Sequence, residues 1–159
     1  MEKGIFIAES MASTKLVSLL RNGVSGTDIE NGSIVTLGDL EVGETDLYKI
    51  ETPAAATDTI YLVDGVELDA EESLALGLDD FVNKADKPVR LRKPTSGDRF
   101  SISKSLVTGS PAVGDTLEAA ASNKLAKASV PTEGATQFVV VADWIFSGRA
   151  IQMLRLEVK

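Results

Sequence analysis

An all-β fold is predicted for this chain: a compact barrel or sandwich of antiparallel hairpins with short helical pieces. Three observations lead there. Apolar and polar residues alternate with a period of two over several short runs, Asn-Gly and Gly-Asp pairs punctuate those runs, and the apolar content is aliphatic, with aromatics at only 5%. The 159 residues fit one domain with a real core, read as an N-terminal segment 1–28 followed by a β-rich body 29–159.

Residues 1–28 lack the alternation seen later. They hold small and polar residues around Leu16-Val17-Ser18-Leu19-Leu20, so the segment is either a short piece packed on the core or an arm that orders against a partner. As an arm, residues 1–25 would be removable without loss of the body. Beyond Asn31-Gly32, Ser33–Leu37 reads as a strand, Gly38-Asp39 as a turn and Asp46–Glu51 as a second strand. Ala54–Asp58 reads as a connection, and the continuous apolar run Ile60–Val63 as a strand buried on both faces. Asp69, with Glu72 three residues on and Gly77 as a stop, marks a helix over 69–77.

Residues 87–103, KPVRLRKPTSGDRFSIS, are predicted to form one hairpin. Val89 and Leu91 alternate with Arg90 and Arg92, Thr95–Asp98 turns the chain, and Phe100 and Ile102 alternate with Ser101 and Ser103; the arginines and serines would form a wet face. Strands follow near 116–120 and 124–128. Over 138–146 the period of two puts Phe138, Val140, Ala142, Trp144 and Phe146 on one face and Val139, Val141, Asp143 and Ile145 on the other. Both faces are nearly apolar, so one needs a second cover, and Val139, Val141 and Ile145 are expected to mediate self-association. A last strand spans 150–158. The inner face should include Ile34, Leu37, Leu62, Val89, Leu91, Phe100, Ile102, Phe138, Val140, Trp144, Leu154 and Leu156.

Charge and missing residue types narrow the function. The net charge is -8, which on average repels phosphate backbones, so nucleic acid is not an expected partner. Cysteine and histidine are both absent, which removes thiolates, the usual general base and the commonest metal ligand. No stretch approaches the roughly 20 apolar residues of a membrane span, and no secretory signal is visible, so a soluble cytoplasmic product without membrane partner is expected. Glycine-rich phosphate loops and the common hydrolase motifs are missing as well. No catalytic residue, metal or cofactor is therefore predicted. The acidic cluster Asp64, Glu67, Asp69, Glu71, Glu72, Asp79 and Asp80 lacks the ligand order of an EF-hand and reads as a solvated face rather than a calcium site.

Beside it, Lys84–Lys104 is rich in bases, suited to docking on a charged lattice. Apolar anchors in the N-terminal segment, Ile5, Phe6, Ile7, Leu16, Val17, Leu19 and Leu20, together with Lys15, Arg21, Arg90 and Arg92, form the candidate partner-binding set.

The order of segments NGSIVTLGDLEVGE, YLVDG, GLDDFVNKADKPVRLRKPTSGDRFSIS, VGDTLEAAASNKL and a final apolar hairpin resembles the small auxiliary head proteins of tailed bacteriophages, the capsid decoration or cement proteins. The resemblance implies a β-rich structural protein made in the host bacterial cytoplasm. It would bind the virion exterior on the major capsid protein lattice, often as a homotrimer at local threefold axes, and stabilise the shell. On that reading the candidate set above is the capsid-binding set. The alternative is a carbohydrate- or surface-binding β-module of a phage tail or fibre. A cofactor-independent carboxylate enzyme would need its acids to converge on a cleft, whereas here they crowd into one segment.

Overall fold

A computed structural model describes residues 3–67, 80–146 and 150–159. The chain is all-β, and its strands form two layers. The first is a closed five-stranded barrel of β2 (Leu20–Val24), β4 (Leu47–Glu51), β3 (Ile34–Leu40), β5 (Tyr61–Val63) and β6 (Pro88–Arg92), in that order. The second is a seven-stranded sheet that runs from β1 (Phe6–Ser10) through β7 (Arg99–Ser103), β12 (Ile151–Val158), β11 (Phe138–Phe146), β9 (Thr116–Ala119) and β10 (Leu125–Lys127) to β8 (Val107–Thr108). Among the described residues, three short 3-10 turns occupy 12–14, 17–19 and 104–106. The helix expected over 69–77 lies outside the described residues.

Residues 3–28 are divided between the layers. β1 pairs antiparallel with β7, and β2 closes the barrel between β4 and β6. Ile5 and Phe6, expected as partner anchors, are therefore buried, because their side chains fill the two faces of the sheet that β1 extends. A cut at residue 25 would remove a strand from each layer.

Alternation does its work strand by strand. Ile34 and Leu62 leave the barrel wall outward into the core between the layers, while Val35, Tyr61 and Val63 point inward with Val89 and Leu91. The apolar run 60–63 is thus covered on both sides, as its composition requires. The barrel is narrow: a Cβ added to Gly23 would lie 2.7 Å from both Ile50 Cγ1 and Leu91 Cδ1. Gly23→Ala is expected to cost about 1–3 kcal/mol by overpacking, measurable as a lower denaturant midpoint with an unchanged slope.

The stretch 87–103 is two strands but not a hairpin. β6 pairs with β2 and β5 in the barrel, whereas β7 pairs with β1 and β12 in the sheet. The intervening turn is held from outside itself. Gly97 N donates to Val158 O, Asp98 N to Thr95 O, and the Asp98 carboxylate accepts from Thr95 N and Ala12 N, each at 2.9–3.0 Å. These bonds hand the chain from barrel to sheet. The expected wet face goes with the hairpin: Arg92, Ser101 and Ser103 are buried.

A β-bulge between Val140 and Ala142 corrects the reading of β11. Val140 pairs with Leu156, but Ala142 pairs with Arg155 and Trp144 with Met153, so the extra residue flips the alternation. Phe138 and Val140 face the inter-layer core, while Trp144 and Phe146 join Ile5, Ile7, Ile151 and Met153 in a third cluster on the opposite face. Val139, Val141 and Ile145 consequently share no common face. Val139 pairs with Glu157, Val141 is the bulged residue, and Ile145 pairs with Gln152 on the side of Leu154.

Candidate functional site

Capping bonds, not helical propensity, shape residues 11–19. Thr14 N donates to Met11 O, Leu16 N to Ala12 O and Leu19 N to Leu16 O, while Met11 is buried beneath them. The buried Ser13 hydroxyl accepts from Arg92 Nη1 at 3.1 Å, Ala12 N is held by Asp98, and Lys93 N donates to Leu19 O. A segment tied at three points presents Leu16 at 54% and Val17 at 79% exposure.

Beside Val17 runs a groove of about 540 Å³ whose walls include Leu20, Arg21, Asn22, Asp46, Tyr48 and Arg90. Arg21 Nη1 donates to Ser18 O at 2.7 Å and Leu20 O at 2.8 Å, which folds its stem along the turn. Asn22 Nδ2 reaches Asp46 at 3.4 Å across the parallel β2–β4 pair. The groove therefore combines aliphatic surface, one aromatic ring and charges of both signs. It can seat a polypeptide; it holds no arrangement of nucleophile and base.

Of the candidate partner-binding residues, the fold gathers Val17, Leu20, Arg21 and Arg90 around this groove, with Lys15, Leu16 and Leu19 in the adjoining turn. Ile7 is half-buried against the cluster of Ile5, Ile151 and Met153 on the seven-stranded sheet, as are Trp144 and Phe146. Arg92 is a correction. Its guanidinium is buried and donates from Nε to Asp64 Oδ2, an oxygen that also accepts from Arg90 Nη2 at 2.8 Å, so Arg92 ties turn to barrel and is closed to a partner. Sequence reasoning missed Tyr48, which lies in no recognisable motif, but named Val17 among the apolar anchors.

Asp64 is likewise spent on arginines. Next to it Asn31 bridges Gly65 N at 2.8 Å, Gly65 O at 3.1 Å and Asn83 Nδ2 at 2.9 Å. Desolvation, and then the charge of Asp64, push the Glu67 carboxyl above its ordinary value. Asp69, Glu71, Glu72 and Asp79 lie outside the described residues. Among the described residues no three acidic side chains come together as a metal site, and no helix is long and apolar enough to cross a membrane.

The fold and this surface define an all-β protein, barrel against sheet, with a rigid apolar turn beside a peptide-sized groove. No protein-family model, curated protein or solved structure matches the chain.

Proposed function

We propose that this chain is a structural protein that binds the exterior of an assembled phage capsid and stabilises the shell, docking through the turn 15–21 and the adjoining groove. The observation that carries the reading is the exposure of Leu16 and Val17 on a segment fastened at Ala12, Ser13 and Leu19. Apolar side chains held open on a rigid backbone lose little entropy on docking, and burying each contributes about 1.5–3 kcal/mol. Lys15, Arg21 and the exposed part of Arg90 add salt-sensitive contacts at the rim, each worth about 0–1 kcal/mol. Copies associate on the lattice as trimers in this reading, through a surface other than Val139, Val141 and Ile145 as a set.

Point substitution tests this better than truncation, because residues 6–10 and 20–24 are strands of the body. In the double variant Leu16→Asp, Val17→Asp, both exposed residues change without a core contact being lost, so the unfolding free energy is expected to stay within about 0.5 kcal/mol of the parent. Co-sedimentation with expanded shells of the cognate capsid protein should be lost. A double variant that still saturates the shells would remove this surface from consideration.

A further inference from the structure

A second cavity, of about 380 Å³, lies where β3 and β4 meet the loop leading to β5, and it shares no lining residue with the docking groove. Its wall includes Leu37, Glu51, Ala54, Asp58, Thr59 and Tyr61. Tyr61 is only 8% exposed, and its hydroxyl makes no hydrogen bond with any described residue; that atom is not itself buried, so the hydroxyl is the part of the side chain open to solvent at the cavity. Asp58 Oδ2 accepts from Ala54 N at 2.8 Å and Ala55 N at 2.9 Å, which leaves its second oxygen uncommitted. These two backbone donors, Ala55 first, hold the Asp58 carboxyl below its ordinary value.

Glu51 contributes a second carboxylate, and it has no ion pair or side-chain hydrogen bond among the described residues. Its place is prepared by Gly38: a Cβ there would lie 2.5 Å from Glu51 Oε1. No lysine or arginine lines the cavity. The uncommitted polar groups are thus acceptors or hydroxyls, set beside the apolar surfaces of Leu37, Ala54 and the Tyr61 ring.

We propose that this cavity binds a primary alkylammonium group, the chemistry shared by a lysine side chain and a free aliphatic amine. An ammonium brings three donors and no acceptor, which matches two carboxylates and the Tyr61 and Thr59 hydroxyls. Its methylene stem covers Leu37 and Ala54, and the aromatic ring adds attraction for the cation. A neutral sugar would bring as many acceptors as donors and leave the carboxylates uncompensated. Calcium requires six to eight oxygens, more than these uncommitted groups supply.

The test is a titration of the 15N-labelled full chain with n-pentylammonium chloride and with Nα-acetyl-lysine methylamide, followed by backbone amide and Tyr61 ring signals. n-Pentanol, methyl glucoside and calcium chloride serve as controls. Saturable shifts confined to residues around 36–38, 51–54 and 58–61 are expected from the amines and not from the controls. A response to the lysine derivative alone assigns the cavity to a side chain, and one to pentylammonium alone assigns it to a free amine. Glu51→Gln and Gly38→Ala should each weaken binding about ten-fold by removing or displacing a charge-assisted partner, and Tyr61→Phe should weaken it while keeping the ring. Absence of a saturable shift from both amines, or an equal response to pentanol, glucoside or calcium, overturns the proposal.

Discussion

Replacing Phe100 with alanine is expected to lower the unfolding free energy by about 3–5 kcal/mol, the largest effect of any single truncation in the inter-layer core. Phe100 is fully buried, its ring centroid 5.6 Å from that of Phe6 and 5.8 Å from that of Phe138, the latter edge to face. It stands on β7, between β1 and β12, so the cavity would open under the N-terminal strand and the last strand together. Aromatic contacts of this geometry add to simple burial. Equilibrium urea denaturation checks the value, and a loss under about 1 kcal/mol would mean that the layers close over the gap. Trp144→Ala, which the alternation alone would rank equal, should cost less. Its ring is only partly buried in the small outer cluster with Phe146 at 6.1 Å.

Asp64→Ala should destabilise the fold by about 3–5 kcal/mol, because removing one partner of a buried ion pair leaves the other charge uncompensated. Arg92 is that charge: its side chain is 10% exposed, and it loses Asp64 while remaining tied to Ser13. Arg90, at 39% exposure, can turn to water and should suffer less. Because Arg92 also anchors the turn beneath Leu16 and Val17, the variant should gain amide hydrogen exchange over residues 12–19 before the barrel opens globally. Exchange that rises evenly across the chain would show that the turn and the barrel open together. The double variant Asp64→Leu, Arg92→Leu tests the cause, since replacing the pair by apolar side chains should recover much of the loss.

Turn chemistry and alternation made most strands beyond residue 28 legible, because both are local properties of the backbone. Ile60–Val63 was recognisable as a strand covered on both faces, and 116–120 with 124–128 as a pair, since β9 and β10 do pair antiparallel across a short connection. Of the candidate site, the exposed aliphatic and basic residues of 15–21 were visible as types. Their assembly with Tyr48 and Arg90 was not, because Asn22–Leu47 and Asn22–Arg90 are register contacts between strands distant in sequence. The cavity beneath Tyr61 was invisible for the same reason. Its acids, Glu51 and Asp58, sit in an ordinary strand end and an alanine-rich loop.

Three errors share one cause. The period of two says which residues share a face of a strand, but not which strand lies alongside. Thr95–Asp98 carries hairpin chemistry, yet Asp98 spends its carboxylate on Ala12 N and its backbone on Val158, so β6 and β7 part into different layers. One inserted residue in β11 moves Trp144 and Ile145 to the faces opposite those expected, and composition carries no mark of a bulge. The unpatterned N-terminal residues supply an edge strand and a barrel stave, since even weakly alternating backbone can complete a ladder once neighbours are in place. The sequence by itself therefore determined the all-β class, most of the strands beyond residue 28 and the lack of a histidine- or cysteine-based site. Tertiary structure alone decided strand partners, the split into barrel and sheet, and which charges are buried. Backbone hydrogen bonds are nearly indifferent to side-chain identity, so the choice among ladders is made by burial summed over the whole chain.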